Sequence, residues 1–258
     1  MSYQTIEFSL QAGIAKLVFN RPDKLNSFTV QMHQDVARAL DRAVTERARV
    51  LLLTANGRGF CTGQDLSDID LATFDPGASL ESYYNPLMRR LAGLPFPLIC
   101  AINGVAAGAG ANIALSGDIV IAAKSARFMQ SFAQLGLVPD CGGSWMLPRL
   151  AGQARAMALM LTGQPLSAEQ AEEWGVIWKA VDDAALMGEA EALAARLAAA
   201  PPKALAATRD LIRSGWSRSF DAQLDAERDG QHAMGKTADY REGVQAFLEK
   251  RPPKFTGN

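Results

Sequence analysis

Asn103-Gly104-Val105-Ala106-Ala107-Gly108-Ala109-Gly110-Ala111-Asn112 follows directly on the apolar run 98–102. The stretch reads as a buried strand that turns through small residues into a helix, where glycine lets the backbone approach a ligand closely. Amide N–H groups left free at a helix start bind anions. A second segment of the same kind, Gly59-Phe60-Cys61-Thr62-Gly63-Gln64-Asp65-Leu66, follows the apolar run 50–53. The chain thus offers two strand-to-turn clusters of backbone amides, and two amides converging on one carbonyl oxygen make an oxyanion hole. Taken singly, each is more simply read as close packing.

Outward from these turns, strands and helices alternate. Residues 5–10 and 14–19, separated by Gln11-Ala12-Gly13, form a hairpin pattern. Thr29 is placed as the N-cap of a helix whose apolar stripe is Met32, Val36, Leu40, Ala43 and Val44. Apolar strands at 50–53, 98–102 and 119–122 alternate with helical stretches, the pattern of βαβ units on a parallel sheet. The uncharged stretch 98–115 is interrupted by Asn103, Asn112 and glycines, so it reads as a strand and a helix rather than a membrane span. From Pro148 onward the chain is mainly helical: Ser167 and Gln170 form a capping box for a short helix ending at Gly175, and helices are expected over 186–199 and 202–212. We divide the chain into a core, 1–198, and a C-terminal helical region, 199–258, used in subunit contact.

Composition bounds the function. The 258 residues carry a net charge of −1, with 26 basic and 27 acidic residues, and 48% are apolar. Such a chain can bury a large core, and it lacks the basic excess of a nucleic-acid binder. Its three cysteines, Cys61, Cys100 and Cys141, have neither paired nor metal-ligand spacing, which suits a reducing compartment. The start of the sequence has no positive or apolar leader pattern, so the expected location is the cytoplasm. His33 and His232 belong to no triad or ligand set, and no metal is expected.

The order of five segments carries a resemblance over essentially the whole chain: Asn20-Arg21-Pro22-Asp23-Lys24-Leu25-Asn26-Ser27, the turn from Cys61 to Leu66, the turn from Ile102 to Asn112, Gly136-Leu137-Val138-Pro139-Asp140-Cys141-Gly142-Gly143-Ser144, and Glu242-Gly243-Val244-Gln245-Ala246-Phe247-Leu248-Glu249-Lys250-Arg251. In these the chain resembles the crotonase superfamily of enoyl-CoA hydratases and isomerases. The resemblance implies an α/β crotonase fold of stacked ββα units with a C-terminal helical annex. It implies an acyl-CoA thioester as substrate, with coenzyme A part of that substrate and no separate cofactor, and a homotrimer or homohexamer. It assigns the two oxyanion donors to the backbone N–H groups of Gln64 and Ala109. Lys24, Leu25, Cys61, Asp65 and Leu66 match positions along the ligand path. Phe247 and Lys250 match positions that reach the adenine and its 3′-phosphate, often from a neighbouring subunit, and their spacing places a ring and a cation on one helix face. Asp65 is read first as pinning the turn by accepting backbone hydrogen bonds, and second as a residue of the ligand path.

Side chains narrow the reaction. The two glutamates with which the family's hydratases add water align with Asn112 and Phe132, neither of which can move a proton. Asp140 stands where certain isomerases and a dehalogenase of the family have their acting aspartate, and one carboxylate beside an oxyanion hole suffices for a 1,3 proton transfer. Asp140 is also compatible with an N-cap before Trp145-Met146-Leu147. Its apolar neighbours Phe132, Leu137, Val138 and Trp145 are expected to desolvate it and raise its pKa. The run 136–149, with Gln64, resembles isomerases that rearrange the ring epoxide of an aromatic acyl-CoA. A straight-chain Δ3,Δ2-enoyl-CoA isomerase, a dehalogenase with Asp140 as nucleophile and a non-catalytic acyl-CoA binder stand as alternatives. Arg209 and Arg213 read as a solvated helix face, and Cys61 and Cys141 as small buried thiols.

Overall fold

A computed structural model describes residues 2–70 and 72–258. Strands β1 (Ile6–Gln11) and β2 (Ile14–Phe19) form an antiparallel hairpin in register from Ile6 opposite Phe19 to Gln11 opposite Ile14. Ala12 and Gly13 close it with φ of +50° and +78°, the backbone that lets a two-residue turn follow the strand twist. Beyond it lie β3 (Val50–Ala55), β4 (Gly59–Cys61), β5 (Leu98–Ile102), β6 (Val105–Ala107), β7 (Ile119–Ala123), β8 (Arg127–Met129), β9 (Leu166–Ser167) and β10 (Lys179–Val181). The first sheet has the order β1-β2-β3-β5-β7-β10, parallel from β2 onward. Every residue of β3 and β5 is buried, which is why these strands are continuous apolar runs without alternation.

A second sheet, β4-β6-β8-β9, departs from the single parallel sheet expected. Its strands are two or three residues long, too short for a periodicity to show in the sequence. This small sheet decides where the chemistry sits. β4 and β6 pair in parallel, Gly59 beside Val105 and Cys61 beside Ala106, so the turns that leave their ends emerge side by side.

The helices are α1 (Val30–Thr45), α2 (Pro76–Ser79), α3 (Asn85–Ala92), α4 (Ala109–Leu115), α5 (Gly143–Ala151), α6 (Gln153–Thr162), α7 (Ala168–Glu173), α8 (Leu186–Ala198), α9 (Pro202–Gly215), α10 (Phe220–Met234) and α11 (Ala238–Leu248). In α1 the Met32 N–H donates to Thr29 Oγ1 over 3.3 Å, and Met32, Val36, Ala39, Leu40 and Ala43 face the core. Val44, expected in that stripe, is exposed, because the face turns away one residue after Ala43. Ser167 caps α7 through the Gln170 N–H, as the capping box predicts. The stretch 98–115 is the buried sequence β5, β6, α4, and among the described residues no helix is long and apolar enough to cross a membrane. Phe19, Phe28 and Phe60 fill the centre, with ring centroids 5.2 and 5.5 Å apart.

Helices α9, α10 and α11 surround a cavity of about 920 Å³ lined by Leu211, Ile212, Leu224, Met234, Val244 and Phe247 among others. Arg209 and Arg213 are not the solvated face read from the sequence. Arg213 Nη2 donates to Asp118 Oδ1 over 2.7 Å and Arg209 lies 3.9 Å from Oδ2. Further bonds to the carbonyls of Phe96, Ala92 and Ser116 tie α9 to the segment before β5 and to the ends of α3 and α4. The partners lie about a hundred residues away in sequence, beyond any local pattern.

Candidate active site

Two glycines lock the turns after β4 and β6 against each other. A Cβ on Gly110 would stand 2.1 Å from the Cys61 carbonyl oxygen, a contact between two backbones with no room to give. Gly63, at φ +83°, is so close to the start of α4 that a Cβ there would lie 3.4 Å from the Ala109 nitrogen. Gln64 follows Gly63 and pairs with Phe28 in a parallel bridge. The Phe28 N–H donates to the Gly63 carbonyl at 2.7 Å and the Asp65 N–H to the Phe28 carbonyl at 2.9 Å. With both flanks taken, the Gln64 N–H is left on the opposite side of the strand, without a partner among the described turn and loop bonds. Ala109 is the first residue of α4, so its N–H has no intrahelical acceptor. The structure thus brings together two unpaired amides on adjoining turns.

Asp65 holds this turn in place. Its Oδ1 accepts from the Ser67 N–H and hydroxyl at 3.1 and 2.6 Å, and its Oδ2 pairs with Arg21 at 2.9 Å. Burial alone would raise its pKa, but the hydrogen bonds from Ser67 and Arg21 bring it down to about 2, so it is a fixed anion. The Arg21–Ser27 loop is pinned in turn by Asn26, whose Nδ2 donates to the carbonyls of Asn56 and Gly59 and whose Oδ1 accepts from the Arg21 N–H. Leu25, at φ +48°, packs on Gly59, while Lys24 is exposed and forms no ion pair among the described residues. Cys61 is fully buried and its thiol is pushed up to about 12, which makes it inert. Leu66 is exposed beside the turn.

Asp140 is not a helix cap. α5 begins at Gly143 after Gly142, with no side-chain cap. The Asp140 main chain is fastened instead: its carbonyl accepts from the Gly143 N–H at 2.8 Å and from Asn112 Nδ2 at 2.9 Å. Asn112 is itself held by Gln130, whose Nε2 donates to Asn112 Oδ1 at 2.8 Å. Asn112 lies one turn along α4 from Ala109, so one short helix carries an unpaired amide at its start and fastens the Asp140 main chain. The carboxyl group keeps Oδ1 buried without a hydrogen-bond partner, and burial raises its pKa.

The neighbours that desolvate Asp140 differ from those expected. Leu137, Val138 and Trp145 are exposed, Val138 by 80%, and the chain passes through left-handed backbone at Cys141 and Gly142 directly after Asp140. Phe132 is buried and lies over Gly108, next to Ala109. Cys141 and Tyr84 lie in the same buried cluster: burial pushes the Tyr84 phenol up, and the Asp140 carboxylate adds to the shift. Tyr84 has no motif in the sequence. Its hydroxyl donates to Gln64 Oε1 at 3.1 Å, across twenty residues. Behind it sits His33, buried with neither ring nitrogen partnered and its pKa lowered to about 4 by burial, hence neutral.

Phe247 and Lys250 stand apart from this cluster. Phe247 is 82% exposed on α11 and borders the annex cavity, whose lining includes none of Lys24, Gln64, Ala109 and Asp140. The shared helix face read from their spacing does not form. α11 ends at Leu248, and Lys250 follows in a left-handed conformation, φ +54°. Among the described residues no cluster of three or more His, Cys, Asp or Glu side chains could hold a metal ion.

Residues 9–258 match the family model for enoyl-CoA hydratase/isomerase. The chain is 54% identical over 253 residues to the 1,2-epoxyphenylacetyl-CoA isomerase of Escherichia coli (strain K12), covering 96% of this chain and 97% of that protein. It is 46% identical, over the full length of both, to a Rhodobacter capsulatus protein named "Probable enoyl-CoA hydratase". The crystal structure of enoyl-CoA hydratase from Bacillus anthracis superposes with a TM-score of 0.92 at 31% identity, covering 99% of this chain and all of that one. The chain has the crotonase fold and belongs to the enoyl-CoA hydratase/isomerase family.

Proposed function

We propose that the protein is an acyl-CoA isomerase in which the N–H groups of Gln64 and Ala109 hold the thioester oxygen while Asp140 moves the proton. The observation that carries this reading is the buried, partnerless Asp140 oxygen on a segment fastened through Asn112 to the helix that opens with the unpaired Ala109 amide, with Asn112 where a hydratase glutamate would align. Removal of a proton α to a thioester places negative charge on the carbonyl oxygen. Two preorganised donors stabilise that charge, each worth roughly 2.7–4 kcal/mol in the transition state. A carboxylate whose pKa is raised by burial is a stronger base than one in water, and once protonated it can return the proton at another carbon. One group therefore suffices for both halves of the transfer. Addition of water would need a second group to activate it, and Asn112 is committed to the Asp140 carbonyl.

Likeness to the Escherichia coli protein favours 2-(1,2-epoxy-1,2-dihydrophenyl)acetyl-CoA as substrate, rearranged to its oxepin isomer in phenylacetate breakdown. The same chemistry shifts a 3,4 double bond of an acyl-CoA to the 2,3 position. We further propose a homotrimer or a dimer of trimers, in which Phe247 and Lys250 reach the coenzyme A of an adjacent protomer. Their separation from Asp140 within one chain, and the exposure of Ile212, Phe220, Phe247 and Leu248, support it. Three free, buried cysteines suit the cytoplasm. Incubation with a 3-enoyl-CoA, followed by the absorbance of the conjugated 2-enoyl thioester, tests the reading. Growth of that absorbance is the expected result. Turnover of 2-enoyl-CoA to the 3-hydroxy product without isomerisation would overturn it.

A further inference from the structure

The Gln64 side chain is held as deliberately as its backbone. Tyr84 is 2% exposed, and its ring is walled by His33 and Phe28, with centroids 4.4 and 6.1 Å away. Burial beside Cys61, Cys141 and Asp140 keeps the phenol protonated, so it donates to Gln64 Oε1. That bond engages the carboxamide oxygen and leaves Nε2 as the group's available donor. The single protein contact of Nε2 among the described residues is the Asp65 carbonyl at 3.5 Å, the outer limit of a hydrogen bond. A half-buried amide nitrogen, with two N–H groups and one marginal acceptor, is set to donate to something that is not protein.

The residue that offers its main-chain N–H to a thioester oxygen thus offers a second donor a side chain's length away. We propose that the Gln64 carboxamide, aligned by Tyr84, donates a hydrogen bond to an oxygen borne by the acyl group a few bonds from the thioester, and so selects ring-oxygenated arylacetyl thioesters over those without that oxygen. The inference rests on the reading of this cluster as an acyl-CoA site. A site built to donate to a ligand oxygen discriminates against the ligand lacking it, because the donor is then desolvated and unpaired. Tyr84 acts as a positioning residue, since it restrains Gln64 and leaves the nitrogen free.

Titration calorimetry with phenylacetyl-CoA and 2-hydroxyphenylacetyl-CoA reads the discrimination without requiring turnover. Wild type should bind the hydroxylated thioester about tenfold more tightly, the scale of one well-made hydrogen bond. Gln64→Met should bring the ratio of the two affinities close to one, and Tyr84→Phe should lower it part of the way. Circular dichroism checks both variants, and if Gln64→Met does not fold, the ratio for Tyr84→Phe decides. A wild-type ratio near one, or a ratio unchanged in the folded variants, overturns the proposal. Failure of wild type to bind either thioester would instead overturn the acyl-CoA reading beneath it.

Discussion

Asn112 shows how one side chain can take a position aligned with catalysis and use it for geometry. Its amide donates to the Asp140 carbonyl and accepts from Gln130, both inside the protein. Asn112→Ala leaves the Gln130 amide nitrogen unpaired, a cost of about 1–3 kcal/mol, and leaves the Asp140 carbonyl held by the Gly143 N–H alone. We expect a lower melting temperature together with a fall in kcat larger than any change in KM, because Asp140 is then no longer aimed. Steady-state kinetics beside thermal unfolding would show it, and an unchanged kcat would remove Asn112 from the role. His33 makes a separate prediction. Its folded-state pKa of about 4 lies below the ordinary value of 6.5, so between these the unfolded chain binds more protons. Stability therefore falls as the pH drops from about 6.5 to about 4, with no further loss from this group below that. Between pH 7 and pH 5 the His33 contribution amounts to about 2 kcal/mol. In His33→Phe the acid loss of stability, read by denaturant titration at both pH values, should shrink by about that amount. Equal slopes would show that His33 is solvated.

At the scale of elements, the short sheet β4-β6-β8-β9 makes the site, because parallel pairing of β4 with β6 is what sets two unrelated turns edge to edge. Gly110→Ala tests the contact. The added methyl carbon would stand 2.1 Å from the Cys61 carbonyl, so the turns must separate, at a cost on the order of 1–3 kcal/mol for overpacking. The two amides would then no longer converge, and isomerisation should fall by at least the roughly hundredfold effect of one oxyanion donor. Wild-type rates in the variant would mean that the turns are not coupled. The turns themselves were legible, since a glycine cluster after an apolar run is a local signal. So were β5, a fully buried run, and α7, opened by its capping box. What brings the turns together was not, because three-residue strands have no period. Long-range contacts were equally silent: Tyr84 on Gln64, Arg213 on Asp118, and Asn26 on Gly59 join segments that no spacing connects. Lys250 misled for a local reason, since a left-handed residue after the last turn breaks the helical geometry on which spacing arguments depend.

For the whole molecule, the annex is both fastened and incomplete. Arg209 and Arg213 anchor α9 to the core through Asp118, yet the apolar cavity among α9, α10 and α11 opens onto exposed Ile212, Phe247 and Leu248. On the proposed assembly, a chain ending before Tyr240 should lose coenzyme A affinity and sediment as a smaller species than the full-length protein. Light scattering at micromolar concentration checks the assembly, and a monomeric full-length protein would contradict it. The central claim is that Asp140 is the proton carrier of an acyl-CoA isomerase, and the most direct measurement is the isomerisation rate of Asp140→Asn with a 3-enoyl-CoA. The amide preserves the shape of the carboxyl group but cannot take up and return a proton. The account predicts a loss of about 10²–10⁴-fold in kcat with thioester binding nearly intact. A folded variant that retains more than about a tenth of wild-type turnover, well short of that loss, would contradict it.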